Sequence, residues 1–551
     1  VTAGSASSRP PLRDVVTDDH RRHRYQAARW WDDATLAGQV ALHAGRSPDA
    51  VAVVDGPDTH GVADLATDAA ALASALRARG LGPGSVVSIQ LPNWYESVVA
   101  AVAAQSMGAV INPLLPNYRA HELTTVFLAA RPDAIVTPRT YRGFDHADLV
   151  AAVSRRTEVG PLHIVVRGQP RGSQVGWDAL RAPHGGAVLE PGTADAVSEL
   201  IFTSGTEARP KAVMHTEQTA NFSVRVAHRD LGVGDRDVVW MPSPVGHSTG
   251  FNYGTRFALY HGIPLVLQDR WDPDAALSLL TAQHCSYTLA AATFLEDLVA
   301  AAGRAGATVP DLRLFGCGGS PVPGSLVDAA GDVGVGVLRL YGSTEVLVGT
   351  WNRPWSPVEK RRDTDGPPMS DVEVAVRDER GRDVAPGTPG ELHVRGPNTA
   401  VGFFDDDART AATFGADGWV RTGDLVTLDH HGYVTVVGRK KEILIRGGLN
   451  IAPREIEDLL VTFPEVERAA VVGLPDTRLG ERMCACIVLA EGSPVLGLED
   501  VVGRLVDMGV AVFKLPERLE IVPGLPTTAS GKVQKHELVR QLTEPSGGGD
   551  G

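Results

Sequence analysis

At 551 residues the chain is long enough for more than one folded domain. Its formal net charge of −14 argues against a general nucleic-acid or membrane-surface role, because both partners are themselves anionic. Charged residues at 21% and hydrophobic residues at 43% match an ordinary globular composition, not a disordered or fibrous one.

Residues 1–24 are rich in Ser, Arg and Asp and are expected to form a loose N-terminal arm. From Trp30 onward helical patterns alternate with short apolar strands. Val62–Ala78 reads as a helix, Val86–Ile89 as a strand, and Tyr95–Ser106 as a helix. Val110-Ile111 reads as a strand, His121–Leu128 as a helix, and Ala134–Val136 as a strand. Such alternation predicts parallel sheets covered by helices. The apolar stretch Val98–Ile111 is interrupted by Gln105 and Ser106 and is too short to span a bilayer. The rhythm returns after Ser204, through Ile263–Leu267 and Leu338–Leu340. Between Val372 and Val437 it changes to short alternating strands, the mark of a small antiparallel or barrel-like unit. A charged cluster, Arg439-Lys440-Lys441-Glu442, marks a boundary, and Pro453–Leu460 reads as a helix with Pro and acids in its first turn. The expected organisation is therefore an α/β protein. A large domain over 25–438 holds two helix-covered sheets plus the barrel-like unit. A small mobile α+β domain over 439–543 follows, then a flexible tail over 544–551. The four cysteines, Cys285, Cys317, Cys484 and Cys486, lack zinc or redox spacing and read as buried small residues. With no secretory signal among the first residues, the expected location is the cytoplasm.

Chemistry concentrates in a few stretches. Phe202-Thr203-Ser204-Gly205-Thr206-Glu207-Ala208-Arg209-Pro210-Lys211 follows a strand end and offers hydroxyls, a Gly turn and two cations, an anion cradle. It is not a P-loop, since Pro210 and Ala212 stand where Gly and Ser or Thr are required. Tyr341-Gly342-Ser343-Thr344-Glu345 places hydroxyls and one carboxylate at a strand's C-terminal end, which suits nucleotide and metal binding and also fits an ordinary turn. The glycines of Gly316-Cys317-Gly318-Gly319-Ser320-Pro321 permit close approach to a flat ring. Asp424 could accept from a ribose diol, and on its own also fits a turn-forming Asp. His247 lies among the small residues of Ser243–Gly250. Lys532 sits on a Gly-containing turn near the C-terminus.

Taken together and in this order, these stretches closely resemble the ANL superfamily of adenylate-forming enzymes, which includes acyl-CoA synthetases, stand-alone adenylation domains and beetle luciferases. The resemblance runs from about Trp30 to Leu538. The wording around Trp30-Trp31, Pro113–Pro116 and Ser243–Gly250 is most similar to bacterial medium-chain acyl-CoA synthetases and cyclic-acid CoA ligases. The resemblance implies that ATP and AMP are held by Thr203, Ser204, Gly205, Thr206, Lys211, Gly318, Gly319, Ser320, Tyr341, Gly342, Ser343, Thr344, Asp424 and Arg439. It implies Mg²⁺ at Glu345 and Thr206, and catalysis by Lys532 and His247. The acid would lie against Val245, His247, Ser248 and Gly250. Lys441 would be the hinge of a domain rotation that brings Gly447 and Gly448 to a channel for coenzyme A. Relatives in this superfamily usually carry small, neutral residues where this chain has Glu207 and Ala208, and Gly where it has Ala212.

The implied reaction adenylates a carboxylic acid with ATP and passes the acyl group to CoA, with a carrier-protein thiol as the alternative acceptor. A nucleotide-binding pseudoenzyme is the reading from another class. Ser248 replaces the Asp that amino-acid-activating relatives use to pair an ammonium, so an acid without an α-amine is expected. The small residues Gly246, Ser248, Thr249 and Gly250 are expected to leave room for a medium-chain, cyclic or aryl acid. A nucleic-acid partner and a membrane span are not expected, and a homodimer stays open.

Overall fold

A computed structural model of the chain describes residues 12–181, 187–203, 211–319, 322–442, 444–446, 449–451, 453–476, 480–508, 510, 512–528 and 531–543. Local chemistry sets the helix ends. Thr35 caps Leu36–Arg46 by accepting from the Gly38 N–H. Asp272 caps Pro273–Ala282, accepting from Asp274 and Ala275 ahead of a Pro in the first turn. Thr216 and Thr219 cap Glu217–Leu231 reciprocally, and Gly232 at φ +61° ends it.

The alternation of helices and strands builds two large sheets. An eight-stranded sheet runs, edge to edge, Leu347–Trp351, Val337–Ser343, Leu314–Cys317, Tyr287–Ala290, Val239–Met241, Leu265–Leu267, Val51–Asp55 and Asp58–Gly61. Its inner pairs are parallel and both edge pairs antiparallel. A seven-stranded sheet runs Lys211–Thr216, Val197–Thr203, Val110–Pro113, Val86–Ile89, Ala134–Pro138, Leu162–Val166 and Val175–Gly176, parallel except for the first pair. Helix Tyr95–Ser106 is buried at every position but Glu96. A helix apolar all round belongs inside a protein core, which accounts for the long apolar stretch in the sequence. Among the described residues no helix is long and apolar enough to cross a membrane.

The alternating strands pair as a four-stranded antiparallel sheet, Glu373–Arg377, Gly390–Arg395, Val420–Leu428 and Val434–Arg439. Among the described residues no pairing closes it into a barrel. Beyond the turn Lys440–Glu442, a five-stranded sheet and its helices enclose a separate core around Ile456, Val471, Ile487 and Leu505. All four cysteines are buried and unbridged.

Residues 12–24 depart from the expected loose arm. Asp18 caps a helix, Asp19–Ala27, and the Val15 N–H donates to the Val401 carbonyl at 3.1 Å. The anchor is aromatic: Tyr25 is buried edge-on against Trp31, ring centroids 4.9 Å apart. Tyr25 is the first residue past the segment 1–24, so the composition of that segment does not include the ring that anchors its helix.

Two core histidines give the fold an acid limit. Burial, aided by the nearby His228, pulls His261 from 6.5 down to about 3. Burial, aided by Arg139, pulls His163 down to about 4. The unfolded chain therefore binds protons at a higher pH than the folded one. This stabilisation is complete above about pH 6.5 and is lost as pH falls towards those lower values. Thermal denaturation is expected to show Tm falling between pH 6.5 and 4, and falling less in His261→Gln. Equal slopes for the variant and its parent would remove His261 from the cause.

Candidate functional site

The strands Val197–Thr203 and Lys211–Thr216 form an antiparallel pair in which Thr203 faces Lys211. Ser204, Gly205 and Thr206, with the departures Glu207 and Ala208, lie between these strands and outside the described residues. Ala212, the remaining departure, pairs with Phe202 and is buried, so its methyl group packs within the sheet. Lys211 Nζ lies 3.5 Å from Glu345 Oε1. The expected phosphate-loop cation and the expected metal carboxylate are thus neighbours.

Tyr341, Gly342 and Ser343 end the strand Val337–Ser343, and Thr344 and Glu345 follow. Tyr341 Oη donates to Asp424 Oδ2 at 2.7 Å, while Arg439 Nε lies 2.8 Å from Asp424 Oδ1. Register explains the second contact, because Asp424 stands opposite Arg439 on adjacent strands. Burial and the Asp424 charge push the Tyr341 phenol well above its ordinary range, which keeps it a hydrogen-bond donor.

The two glycines expected to admit a ring behave differently. A Cβ on Gly318 would lie 2.5 Å from the Leu340 carbonyl oxygen, so glycine there serves strand packing. Gly319 has φ +80° and open space on its side, the freer position for close approach. Ser320 lies outside the described residues.

His247 caps a short helical turn, Ser248–Gly250, through its Nδ1, which accepts from the Thr249 N–H at 3.2 Å. Burial lowers its pKa, so the ring is neutral with its hydrogen on Nε2. Val245 and Ser248 are buried beside it. The expectation that the glycines here leave room for the acid is corrected by the backbone. A Cβ on Gly246 would lie 2.2 Å from the Leu114 carbonyl oxygen, and one on Gly250 2.2 Å from that of Pro244. Main chain already fills the volume these glycines release.

Lys532 follows a tight turn closed by the Thr528 N–H donating to the Lys532 carbonyl at 2.7 Å. A Cβ on the neighbouring Gly531 would lie 3.5 Å from Thr293 Oγ1 of the large domain, so this turn rests across the domain boundary. Burial and the Arg439 charge lower the Lys532 ammonium to about 8, against the opposing pull of Glu442 and Asp424. Arg439 in turn feels Asp424, Glu442, Tyr341 and Glu345. Residues from both domains thus converge on one place. Gly447, Gly448 and the Lys441 side chain lie outside the described residues.

Sequence reasoning missed Asn93. Its Nδ2 donates to the carbonyls of Met241, Ser243 and Gln268, and its Oδ1 accepts from the Val245 N–H at 2.8 Å. It clamps the segment leading into His247. The available signal was the Pro92-Asn93 turn directly after a strand.

A family model described as AMP-binding enzyme matches residues 40–404, and one described as AMP-binding enzyme C-terminal domain matches residues 455–532. The chain belongs to the AMP-binding enzyme family. As an adenylate-forming enzyme of this family, the ANL superfamily, it activates a carboxylic acid with ATP to give an acyl-adenylate. It is 35% identical to the medium-chain fatty-acid–CoA ligase of Escherichia coli K12, covering 96% of this chain and 95% of that one. It is 31% identical to the salicyl-AMP ligase / salicyl-S-ArCP synthetase of Mycobacterium tuberculosis, covering 95% and 93%. ATP-bound MatB from Rhodopseudomonas palustris superposes with a TM-score of 0.83 at 28% identity, covering 93% of this chain and 99% of that one.

Because Gly250 has no room for a side chain, Gly250→Ala is expected to displace the His247 turn. Misplacement by about 1 Å can cost on the order of 10²-fold in rate. Acid-dependent pyrophosphate release should fall at least tenfold, with the far-ultraviolet circular dichroism of the parent retained. A fully active variant would show that the turn tolerates movement.

Proposed function

We propose that this enzyme adenylates a carboxylic acid lacking an α-amine and transfers the acyl group to a phosphopantetheine thiol. The observation that carries the reading is the convergence of Lys532, Arg439, Asp424 and Tyr341 from two domains beside the Lys211–Glu345 pair. In the first step a carboxylate oxygen attacks the α-phosphorus of ATP, and the bond to pyrophosphate breaks. Two anions meet, so fixed cations must offset their repulsion. Lys532 would stand at the carboxylate and the bridging oxygen, and Lys211 at the phosphates. The ribose would bind Asp424, whose carboxylate Tyr341 and Arg439 already orient. In the second step the thiol sulfur attacks the acyl carbon and AMP leaves.

Mg²⁺ commonly binds through one or two carboxylates plus substrate phosphates. Glu345, on the turn beside Lys211, fits that donor set, with Thr206 expected next to it. The ion would add positive charge at the departing phosphates. Among the described residues no group of three ligating side chains could hold a metal by itself, which is consistent with an ion shared with the nucleotide.

The reading of an acid without an amine is supported by Met241–Gly254, which contains no Asp or Glu to neutralise a buried ammonium. The neutral His247, with its hydrogen on Nε2, would donate to the acid. For the acceptor, a relative named as a salicyl-S-ArCP synthetase aligns along 95% of this chain, against 96% for the CoA ligase. A carrier-protein thiol is therefore supported at least as well as CoA, and the two share the pantetheine arm.

A panel of aliphatic, alicyclic and aryl acids is expected to drive ATP consumption where the matching α-amino acids do not. Amino-acid preference would overturn the substrate reading. Competition between CoA and a holo-carrier protein for the preformed adenylate identifies the acceptor, and transfer to neither would remove the thiol step.

Lys532→Ala is expected to lower adenylation by about 10²–10³-fold while transfer from a supplied acyl-AMP persists. Equal loss of both steps in a folded variant would contradict the assigned role. The protonated ammonium is the active form, so kcat/KM for adenylation should fall as pH rises through about 8. A profile flat to pH 10 would rule out this titration.

A further inference from the structure

Three charged side chains lie fully inside the large domain. Arg256 and Glu199 have 0% exposure and Glu217 has 2%. Burying ions is costly unless each is paired and hydrogen-bonded, and an apolar cluster of the same volume usually serves stability as well. Here nearly every polar atom is matched. Arg256 Nε donates to Asn252 Oδ1 at 3.0 Å, and its Nη1 donates to Glu217 Oε2 at 2.9 Å and Asn221 Oδ1 at 2.7 Å. Its Nη2 donates to Glu199 Oε1, and Asn252 Nδ2 donates to Glu199 Oε2 at 3.0 Å. The Leu36 N–H supplies a further donor to Glu217 at 2.8 Å.

The elements that carry these groups give the cluster a direction. Asn252 and Arg256 belong to a π-helical turn, Phe251–Arg256, whose first N–H donates to the His247 carbonyl at 2.9 Å. Such turns are rare and recur at functional sites. Glu199 belongs to the strand that ends at Thr203 and stands opposite His215 on the strand that begins at Lys211. His215 is fully buried, and its Nε2 lies 2.7 Å from the Thr344 carbonyl oxygen, the residue before Glu345. Its Nδ1 lies 3.0 Å from Thr219 Oγ1. A connected path therefore runs from the turn behind His247, through Arg256 to Glu199, across the strand pairing to His215, and on to the Thr344–Glu345 turn.

We propose that Glu199 and Arg256 are positioning residues that hold the acid-side turn at His247 and the nucleotide-side turn at Thr344–Glu345 in one fixed relation. The proposal rests on the roles given above to His247 and Glu345. Neither residue touches the reacting atoms. Each acts by fixing the distance between the two elements that do. A consequence specific to this arrangement is crossed sensitivity: a change on the acid side alters nucleotide binding.

The test uses the full chain and two conservative variants. Glu199→Gln keeps the shape and leaves Arg256 paired with Glu217. Arg256→Lys keeps the charge but loses the fork that reaches four partners. For each, the ATP dissociation constant is measured by calorimetry without acid, the acid KM by pyrophosphate release, and Tm by denaturation. Both variants are expected to weaken ATP binding by about tenfold and to raise the acid KM by a similar factor, with kcat changing less. Asp237→Asn is the comparison, since Asp237 is tied to Arg313 and Ser286 just before the strand Val239–Met241. It should lower Tm and leave both substrate constants unchanged. If Glu199→Gln and Arg256→Lys lower Tm alone, the cluster is only structural and the proposal fails. If one substrate responds without the other, the linkage fails. Should either variant not fold, Asn252→Ala replaces it, removing the neutral limb of the same connection. If the parent turns over no acid in the panel, the functional reading is at fault, and ATP binding by Arg256→Lys still decides the linkage.

Discussion

The contact between Asp424 and Arg439, made across a single antiparallel ladder, stands where the two domains meet. The strand Val434–Arg439 is the last of the large domain's four-stranded sheet, and the chain turns into the small domain directly after it. A cation placed there is already neutralised on one side by a carboxylate that a phenol also holds. When the Lys532 turn comes to rest on Thr293, a second cation joins the first at close range. Two cations brought together out of bulk water repel one another, and the depressed Lys532 ammonium is the sign of that repulsion combined with burial. Such an arrangement is suited to an anion that can satisfy both. A polyanionic nucleotide carries the charge that would offset both.

Much of the scaffold was legible in the sequence, because repeated local signals agreed with one another. The helix Val62–Arg77 and the strands Val86–Ile89 and Val110–Pro113 carry strong patterns over their whole length. The proximity of Tyr341, Asp424 and Arg439 was implied only by resemblance, since three residues spread over some hundred positions leave no local trace of a shared site. What sequence reading misjudged has one physical origin. Glycine in a string says that a side chain is missing, but not what occupies the space. At Gly246 and Gly250 the occupant is backbone, and at Gly318 it is the next strand. Asn93 and Glu199 were overlooked because a lone polar residue in an apolar stretch resembles a surface position until its partners, 152 and 57 residues away, are seen.

Stability and function also separate within this core. A cluster of one guanidinium and two carboxylates at zero or near-zero exposure is an inefficient way to hold helices together. It is an effective way to exclude alternative packings, because any shift breaks several charge-assisted bonds at once. Hydrophobic contacts around it, such as Phe257 against Tyr287, fill volume but tolerate sliding. The polar cluster supplies the directional constraint that they lack.

The two-residue alternation of a strand ties the two ends of the pair Val197–Thr203 and Lys211–Thr216 to one another. Glu199 and Thr203 share a face, as do His215 and Lys211 on the partner strand. Deleting one residue between Glu199 and Thr203, or between Lys211 and His215, would put the buried residue and the loop-end residue on opposite faces of the sheet. The pairing of Thr203 with Lys211 thus fixes both flanks of the segment 204–210 to the same register that buries Glu199 and His215.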